Sequence, residues 1–300
     1  MLPDTYSRRR FLSASVAAAG SVACYPRCLR ATARELPQVS FVVVTDTHVG
    51  YRGQESAARQ WQETAAEIAQ AEGDLVLHLG DVVDKQQESQ YPIYLAGRKK
   101  IGKPVYEIPG NHDRPELFAK YLRESIDVAV DHKWIRFLLI NNARVDSHDG
   151  FLSEEQISWI DRQCTEAAQV RRYVVICMHV PAHRNLPPDR AWYVKPDNGQ
   201  GKLYEMLKGH AGRVIAMMHG HFHNGIRGWN DHAPVHEICF PSALYNQDRK
   251  LEERGAPGYN PIEFRPGYTL VTIGNGQMTL RYKPRGAELS VSRTCGLQLR

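Results

Sequence analysis

Five apolar runs in this chain each end on a histidine, an aspartate or an asparagine, and that repetition narrows the folds open to it. The clearest is Leu75-Val76-Leu77-His78-Leu79, which stops at Gly80-Asp81 and is followed three residues on by Asp84. An apolar run bounded by glycine reads as a buried strand, and the glycine lets the chain leave it abruptly. Asp81 then stands at the carboxyl end of a strand, where open α/β sheets collect their chemistry. A carboxylate there is costly unless a cation meets it.

The strand, loop, helix pattern recurs along the chain. Phe41-Val42-Val43-Val44 leads into Thr45-Asp46-Thr47-His48, and residues 54–71 follow with Ala57, Trp61, Ala65, Ile68 and Ala69 on one helical face. Residues 87–100 read as a helix whose first turn Pro92 should break. Val105-Tyr106-Glu107-Ile108 closes on Pro109-Gly110-Asn111-His112-Asp113. Asp113 and Glu116 have capping-box spacing with Pro115 in the first turn, which assigns Asp113 to a helix N-cap. Residues 134–142 predict a strand in a second sheet, and Ser153-Glu154-Glu155-Gln156 opens another capped helix. Residues 173–178 form a strand that delivers His179, and a long loop at 184–198 precedes a helix at 200–209. A strand at 214–218 runs into Gly220-His221-Phe222-His223. Strands are expected at 234–240, 267–274 and 277–283, the last two joined by the hairpin signal Gly274-Asn275-Gly276. Residues 244–266 read as a second long loop and the final dozen residues as a loose tail.

The strand ends together hold Asp46, His48, Asp81, Asn111, His179, His221 and His223, with His112 beside Asn111. Seven such donors are too many for one ion. Imidazole, carboxylate and amide oxygen suit Zn, Mn, Fe or similar first-row metals. If Asp81 is shared, they divide into two sites, and two ions side by side would clamp a phosphoryl group. No Gly-rich nucleotide loop or Ser/His/Asp arrangement competes for the role. The six cysteines include no C-x-x-C pair; Cys177 and Cys239 sit in strand-like runs and read as buried thiols.

In this order, D-x-H (Asp46, His48), G-D-x-x-D (Gly80, Asp81, Asp84), G-N-H-D (residues 110–113), a lone strand-end His179 and G-H-x-H (Gly220, His221, His223) resemble the motifs of the calcineurin-like metallophosphoesterases. The resemblance spans residues 46–223. It implies an α/β fold, a four-layer αββα sandwich with a dinuclear metal site at strand ends. It also implies that Asp46, His48 and His223 bind one metal, that Asn111, His179 and His221 bind a second, and that Asp81 bridges them. His112 would contact the phosphate and assist the leaving oxygen, with Asp84 fixing its tautomer. The chemistry implied is in-line attack on a phosphoester by a metal-bound hydroxide, with Mn, Fe or Zn as the ions.

The formal charge of +5 falls to about +1 once residues 1–33, with five arginines and Asp4, are set apart. That balance argues against a nucleic-acid duplex as partner, and a small phosphoester as substrate is what the resemblance implies. Ser7-Arg8-Arg9-Arg10-Phe11-Leu12 followed by Ala-rich residues resembles a twin-arginine export signal, with Ala31-Thr32-Ala33 as a cleavage site. Residues 1–33 are therefore expected to engage the twin-arginine machinery, and residues 34–300 to form one exported, periplasmic or extracellular domain. Cys24 is a weak match to a lipoprotein site.

Residues 105–113 and Gly150-Phe151-Leu152-Ser153-x-x-Gln156-x-x-Trp159 resemble the cyclic-nucleotide-phosphodiesterase-like branch, in features much of the family shares. Asp84 stands where purple acid phosphatases carry a metal-binding tyrosine, which disfavours that branch. Specificity is expected in the loops, from Arg184, Trp192, Tyr193 and Lys195 and from Tyr245, Asn246 and Arg249. His183 is assigned equally to the site and to the surface, His219 to packing behind the site, His78 and His210 to structure. A phosphodiesterase or phosphatase is the leading reading. Phosphomonoesterase or pyrophosphatase activity on a nucleotide or sugar phosphate, or dimetal hydrolysis of a non-phosphorus ester, are the alternatives.

Overall fold

The computed structural model describes residues 36–184, 191–229, 235–247, 260–288 and 291–299. The leader motif, Cys24, Cys28, His232 and Arg249 lie outside the described residues.

In chain order the first elements are β1 (Val39–Val44), α1 (Gln54–Gln70), β2 (Val76–His78), α2 (Tyr91–Lys100), β3 (Val105–Glu107) and α3 (Pro115–Tyr121). Then come β4 (Val128–His132), β5 (Ile135–Ile140), α4 (Glu154–Gln169), β6 (Tyr173–Met178), α5 (Gln200–Gly209), β7 (Val214–His219) and β8 (His236–Cys239). The chain closes with β9 (Gly267–Gly274), β10 (Gln277–Pro284) and β11 (Val291–Gly296). They form a six-stranded sheet, β11-β10-β9-β1-β2-β3, and a five-stranded sheet, β4-β5-β6-β7-β8.

Three apolar layers explain why the strands read as unbroken runs rather than alternating ones. Phe41 and Val43 of β1, with Leu77, Val271 and Ile273, face Phe137, Leu139, Val175 and Cys177 of the other sheet. The alternate residues point outward. Val42, Val44 and Val76 pack under Trp61, Ala65 and Ile68 of α1 and Tyr91 and Tyr94 of α2. Leu138, Ile140, Val174 and Ile176 pack under Ile160 and Cys164 of α4 and Leu203 and Leu207 of α5. The order helix, sheet, sheet, helix is the expected sandwich. Because β1, β2 and β3 run parallel, as do β5 to β8, their carboxyl ends gather on one rim.

Most expected elements are present within a residue or two, and the hairpin turn has the two left-handed residues its sequence demands, Asn275 and Gly276. The capping box at Ser153 and Gln156 is formed. Three expectations are corrected and one strand is added. The helix of residues 87–100 begins at Tyr91 after a short 3-10 turn, because Pro92 is tolerated only at a helix start. Asp113 caps no helix; the N-cap of α3 is Arg114, and it makes no side-chain cap. The tail is ordered as β11, paired antiparallel with β10. β4 is an additional edge strand whose half-exposed, polar-interrupted residues conceal it in the sequence.

Candidate metal centre

The loops after β1 and β2 run side by side, held by Asp46 N–H to Gly80 carbonyl at 2.9 Å and His48 N–H to Asp81 carbonyl at 3.0 Å. The loop after β7 is tied in by Gly220 N–H to the His179 carbonyl at 3.1 Å. His221 N–H donates to both Asp46 oxygens, at 3.2 and 3.1 Å, and Thr45 Oγ1 donates to Asp46 Oδ2 at 2.7 Å. These bonds aim side chains from distant parts of the sequence at one point.

The backbone is held out of its preferred regions to do so. Asp46, His48, Asp81, His221 and His223 all have positive φ, between 38° and 73°. Non-glycine residues adopt this conformation seldom and at a cost, and such strain concentrates at functional sites. Gly80 must be glycine, since its φ is +94° and a Cβ would lie 2.5 Å from His179 Nδ1. A Cβ on Gly110 would strike Asp81 Oδ1 and its backbone nitrogen.

Donor atoms of Asp46, His48, Asp81 and His223 all lie within 4.8 Å of one another, and so do those of Asp81, His179 and His221. Asp81 Oδ2 is 3.3 Å from His48 Nε2 and 3.3 Å from His179 Nε2, so one oxygen faces both sets. Burial works against the Asp81 carboxylate, but His179 and His48 outweigh it and hold it well below the usual carboxylate range. Asn111 lies beside Asp81, its neighbour His112 donating N–H to Asp81 Oδ1 at 2.9 Å. Its own Oδ1 is buried without a hydrogen-bond partner.

The imidazole tautomers follow from their outer nitrogens, because a carbonyl can only accept. His179 Nδ1 donates to the Leu79 carbonyl at 2.7 Å, His221 Nε2 to the His148 carbonyl at 2.9 Å, and His223 Nδ1 to the Tyr245 carbonyl at 2.8 Å. Their inner nitrogens are left to point inward in close pairs. His221 Nδ1 is 3.2 Å from His179 Nε2, and His223 Nε2 is 3.2 Å from His48 Nε2. Paired imidazole lone pairs beside shared carboxylates and an unsatisfied amide oxygen are a donor set that a cation completes. The residues present thus fit the metals the sequence implies.

His112 is not in either donor group with Asp81; it stands at the mouth, its ring 4.6 Å from that of His48. Its Nδ1 is 3.2 Å from Asp84 Oδ1 and 3.2 Å from the Lys85 amide nitrogen. The charged carboxylate is the stronger partner, so Nδ1 carries a proton toward Asp84 and Nε2 faces outward. Burial lowers the His112 pKa, but Asp84 and Asp81 raise it further, for a net upward shift. Asp84 also lies 3.5 Å from His48 Nδ1, and its own amide donates to Gln90 Oε1 at 2.7 Å.

Several residues that the sequence left bland brace the site. Asp113 accepts from the Val82, Val83 and Gly110 amides at 3.0, 3.0 and 2.9 Å, locking the Asp81 loop to the Asn111 loop. Ser242 Oγ donates to the Asp46 carbonyl at 3.0 Å. His148 supplies the carbonyl that orients His221. Asp113 was visible as part of G-N-H-D; Ser242 and His148 carried no signal, being remote in sequence. His183 is buried rather than at the surface or mouth, its Nδ1 3.0 Å from Glu237 Oε1, and His219 Nε2 lies 3.1 Å from the same oxygen. His78 is buried edge-on against the stacked rings of Trp61 and Tyr94, and His210 pairs with Asp161. Among the loop residues, Trp192 and Tyr245 flank the centre, their rings 5.6 Å from His221 and 4.5 Å from His223. Asn246 is turned inward, accepting from the Ser242 and Gly225 amides, and serves the loop.

Residues 39–225 match the family model for calcineurin-like phosphoesterases, the segment that contains every one of these donors. The chain belongs to the calcineurin-like phosphoesterase family. It is 28% identical over 259 residues to a 3',5'-cyclic adenosine monophosphate phosphodiesterase, CpdA, of Haemophilus influenzae, covering 79% of this chain and 90% of that one. It is 24% identical over 161 residues to a probable glycerophosphodiester phosphodiesterase, GpdQ, of Arcobacter nitrofigilis, covering 50% and 56%. In fold it is similar to a dimetal phosphatase from Danio rerio, with TM-score 0.65 and 14% identity over 86% of this chain and 99% of that one. The protein is a metal-dependent phosphoesterase, and the family together with the donor set implies divalent metal ions.

Proposed function

We propose that this enzyme is a phosphodiesterase with a two-metal centre and that cyclic nucleotides are among its substrates. The observation that carries the two-metal reading is Asp81 Oδ2, equidistant at 3.3 Å from an imidazole of each donor set. Asp46, His48 and His223 would hold one ion, Asn111, His179 and His221 the other, and Asp81 both. Such a pair of first-row ions supplies Lewis acidity on phosphoryl oxygens and an acidified water. The carbonyls of Leu79, His148 and Tyr245 hold each neutral imidazole in the tautomer whose ligating nitrogen faces the centre. His112 Nε2, at the mouth, is placed to meet the phosphate and, in the imidazolium form whose Nδ1 proton Asp84 holds and whose pKa Asp84 and Asp81 raise, to give its own proton to the leaving oxygen.

The diester preference is supported by the resemblance of residues 105–113 and 150–159 to the cyclic-nucleotide branch and by the CpdA relative. The test supplies the purified full chain with Mn, Zn or Fe and compares 3',5'-cyclic AMP, bis(p-nitrophenyl) phosphate and p-nitrophenyl phosphate. Diester turnover should exceed monoester turnover with two ions bound per chain. A chain that turns over only the monoester would make it a phosphatase instead.

Export is proposed separately, on Ser7-Arg8-Arg9 and the apolar, small-residue stretch that follows, with the boundary to the catalytic part near residue 34. Replacing Arg8 and Arg9 by lysine should trap the precursor in the cytoplasm on fractionation. Undiminished export would reject the twin-arginine route.

A further inference from the structure

Beside the second donor set an open cavity of about 590 Å³ is lined by Asn111, Ser147, His148, Asp149, Trp192 and Lys195 among others. One wall is a stacked pair, the His148 imidazole on the Trp192 indole with centroids 4.0 Å apart and planes 15° from parallel. The pair is anchored to the centre itself. The His148 carbonyl accepts from His221 Nε2 at 2.9 Å, and the Trp192 ring lies 5.6 Å from the His221 ring. At the opposite end of the chemistry scale, Lys195 Nζ and Asp149 Oδ1, 3.3 Å apart, put a donor and an acceptor on the same cavity.

We propose that the His148–Trp192 pair is a specificity wall for a planar, nucleobase-sized ester arm of the substrate. The inference rests on the phosphodiester reading above. A phosphate held by both donor sets would have Asn111, which lines this cavity, on one flank, so an ester arm leaving on that side would enter it. The volume is within the range of small-ligand sites. A flat wall with polar groups nearby suits a heteroaromatic ring, which stacks through its face and hydrogen-bonds through its edge. A glycerol-type arm has no face to offer and would leave the wall unused. Because the two rings hold each other, little conformational freedom is lost when a third ring joins them.

The test uses AMP and glycerol 3-phosphate as competitive inhibitors of bis(p-nitrophenyl) phosphate hydrolysis by the metal-loaded full chain. The wild type should bind AMP the more tightly. Trp192→Ala should raise the AMP inhibition constant about 5- to 150-fold, the worth of one aromatic stack, while that of glycerol 3-phosphate stays near its wild-type value. Trp192→Phe should recover part of the loss. Equal weakening of both inhibitors would mean that Trp192 only supports His221, and an unchanged AMP constant would remove the wall from recognition; either overturns the proposal. Calorimetric titration with AMP needs no turnover and separates the two readings. A chain that binds AMP through Trp192 but hydrolyses no diester would keep the wall and lose the phosphodiesterase assignment.

Discussion

Asp81→Asn is expected to lower kcat by about 10³-fold or more and to reduce bound metal from two ions per chain to one or none. Asp81 Oδ2 faces His48 and His179 equally, while Oδ1 accepts the His112 amide at 2.9 Å. An asparagine side chain retains the oxygen that accepts the amide proton, so the loop geometry survives. It loses the negative charge that two cations would share, and removing one electrostatic stabiliser from an enclosed site alone costs about 10²–10³-fold. Metal analysis and steady-state rates on the same preparation check this. Chelation of the wild type should act in parallel by lowering the melting temperature, because buried carboxylates and inward-facing imidazoles then lose the cation they are arranged around. Full activity in Asp81→Asn, or in metal-free protein, would remove the two-metal reading.

His112→Ala is expected to separate substrates by their leaving groups. If Nε2 of His112 gives a proton to the departing oxygen, its loss should cost about 10²–10⁴-fold on an ester whose leaving group is an alkoxide, as in a cyclic nucleotide. The loss on bis(p-nitrophenyl) phosphate should be much smaller, because p-nitrophenolate departs without protonation. Asp84→Asn should reproduce the same selectivity at lower amplitude, about 10–100-fold, since it acts through the imidazole it orients. Equal losses on both esters would assign His112 to phosphate binding alone. The His112 side chain is about a quarter exposed and donates only its backbone amide to Asp81, so the substitution should leave the fold intact.

Much of this architecture was legible before any coordinates because the sheets are covered on both faces. Strands in that setting are unbroken apolar runs, and each run here ends abruptly on a polar cluster, so both the strand and its functional end can be read together. Edge elements lack that signature. β4 alternates half-exposed and exposed residues, and β11 is Val291-Ser292-Arg293-Thr294-Cys295-Gly296, so neither resembles a core strand. Asp113 shows the limit of a local rule. Its spacing to Glu116 matches a helix cap, but three amides of the neighbouring loops offer it better-placed donors.

The sequence alone supplied the candidate donors and their order, from Asp46 and His48 through Asp81, Asn111 and His179 to His221 and His223, because a residue's capacity to act as a ligand is a property of its type and strand-end position. Only the tertiary structure decided how those donors are paired and aimed. Which nitrogen of each imidazole faces inward depends on a carbonyl contributed from elsewhere, Leu79 for His179, His148 for His221 and Tyr245 for His223. Those partners are backbone atoms, whose direction is set by the path of the chain rather than by the residue that carries them.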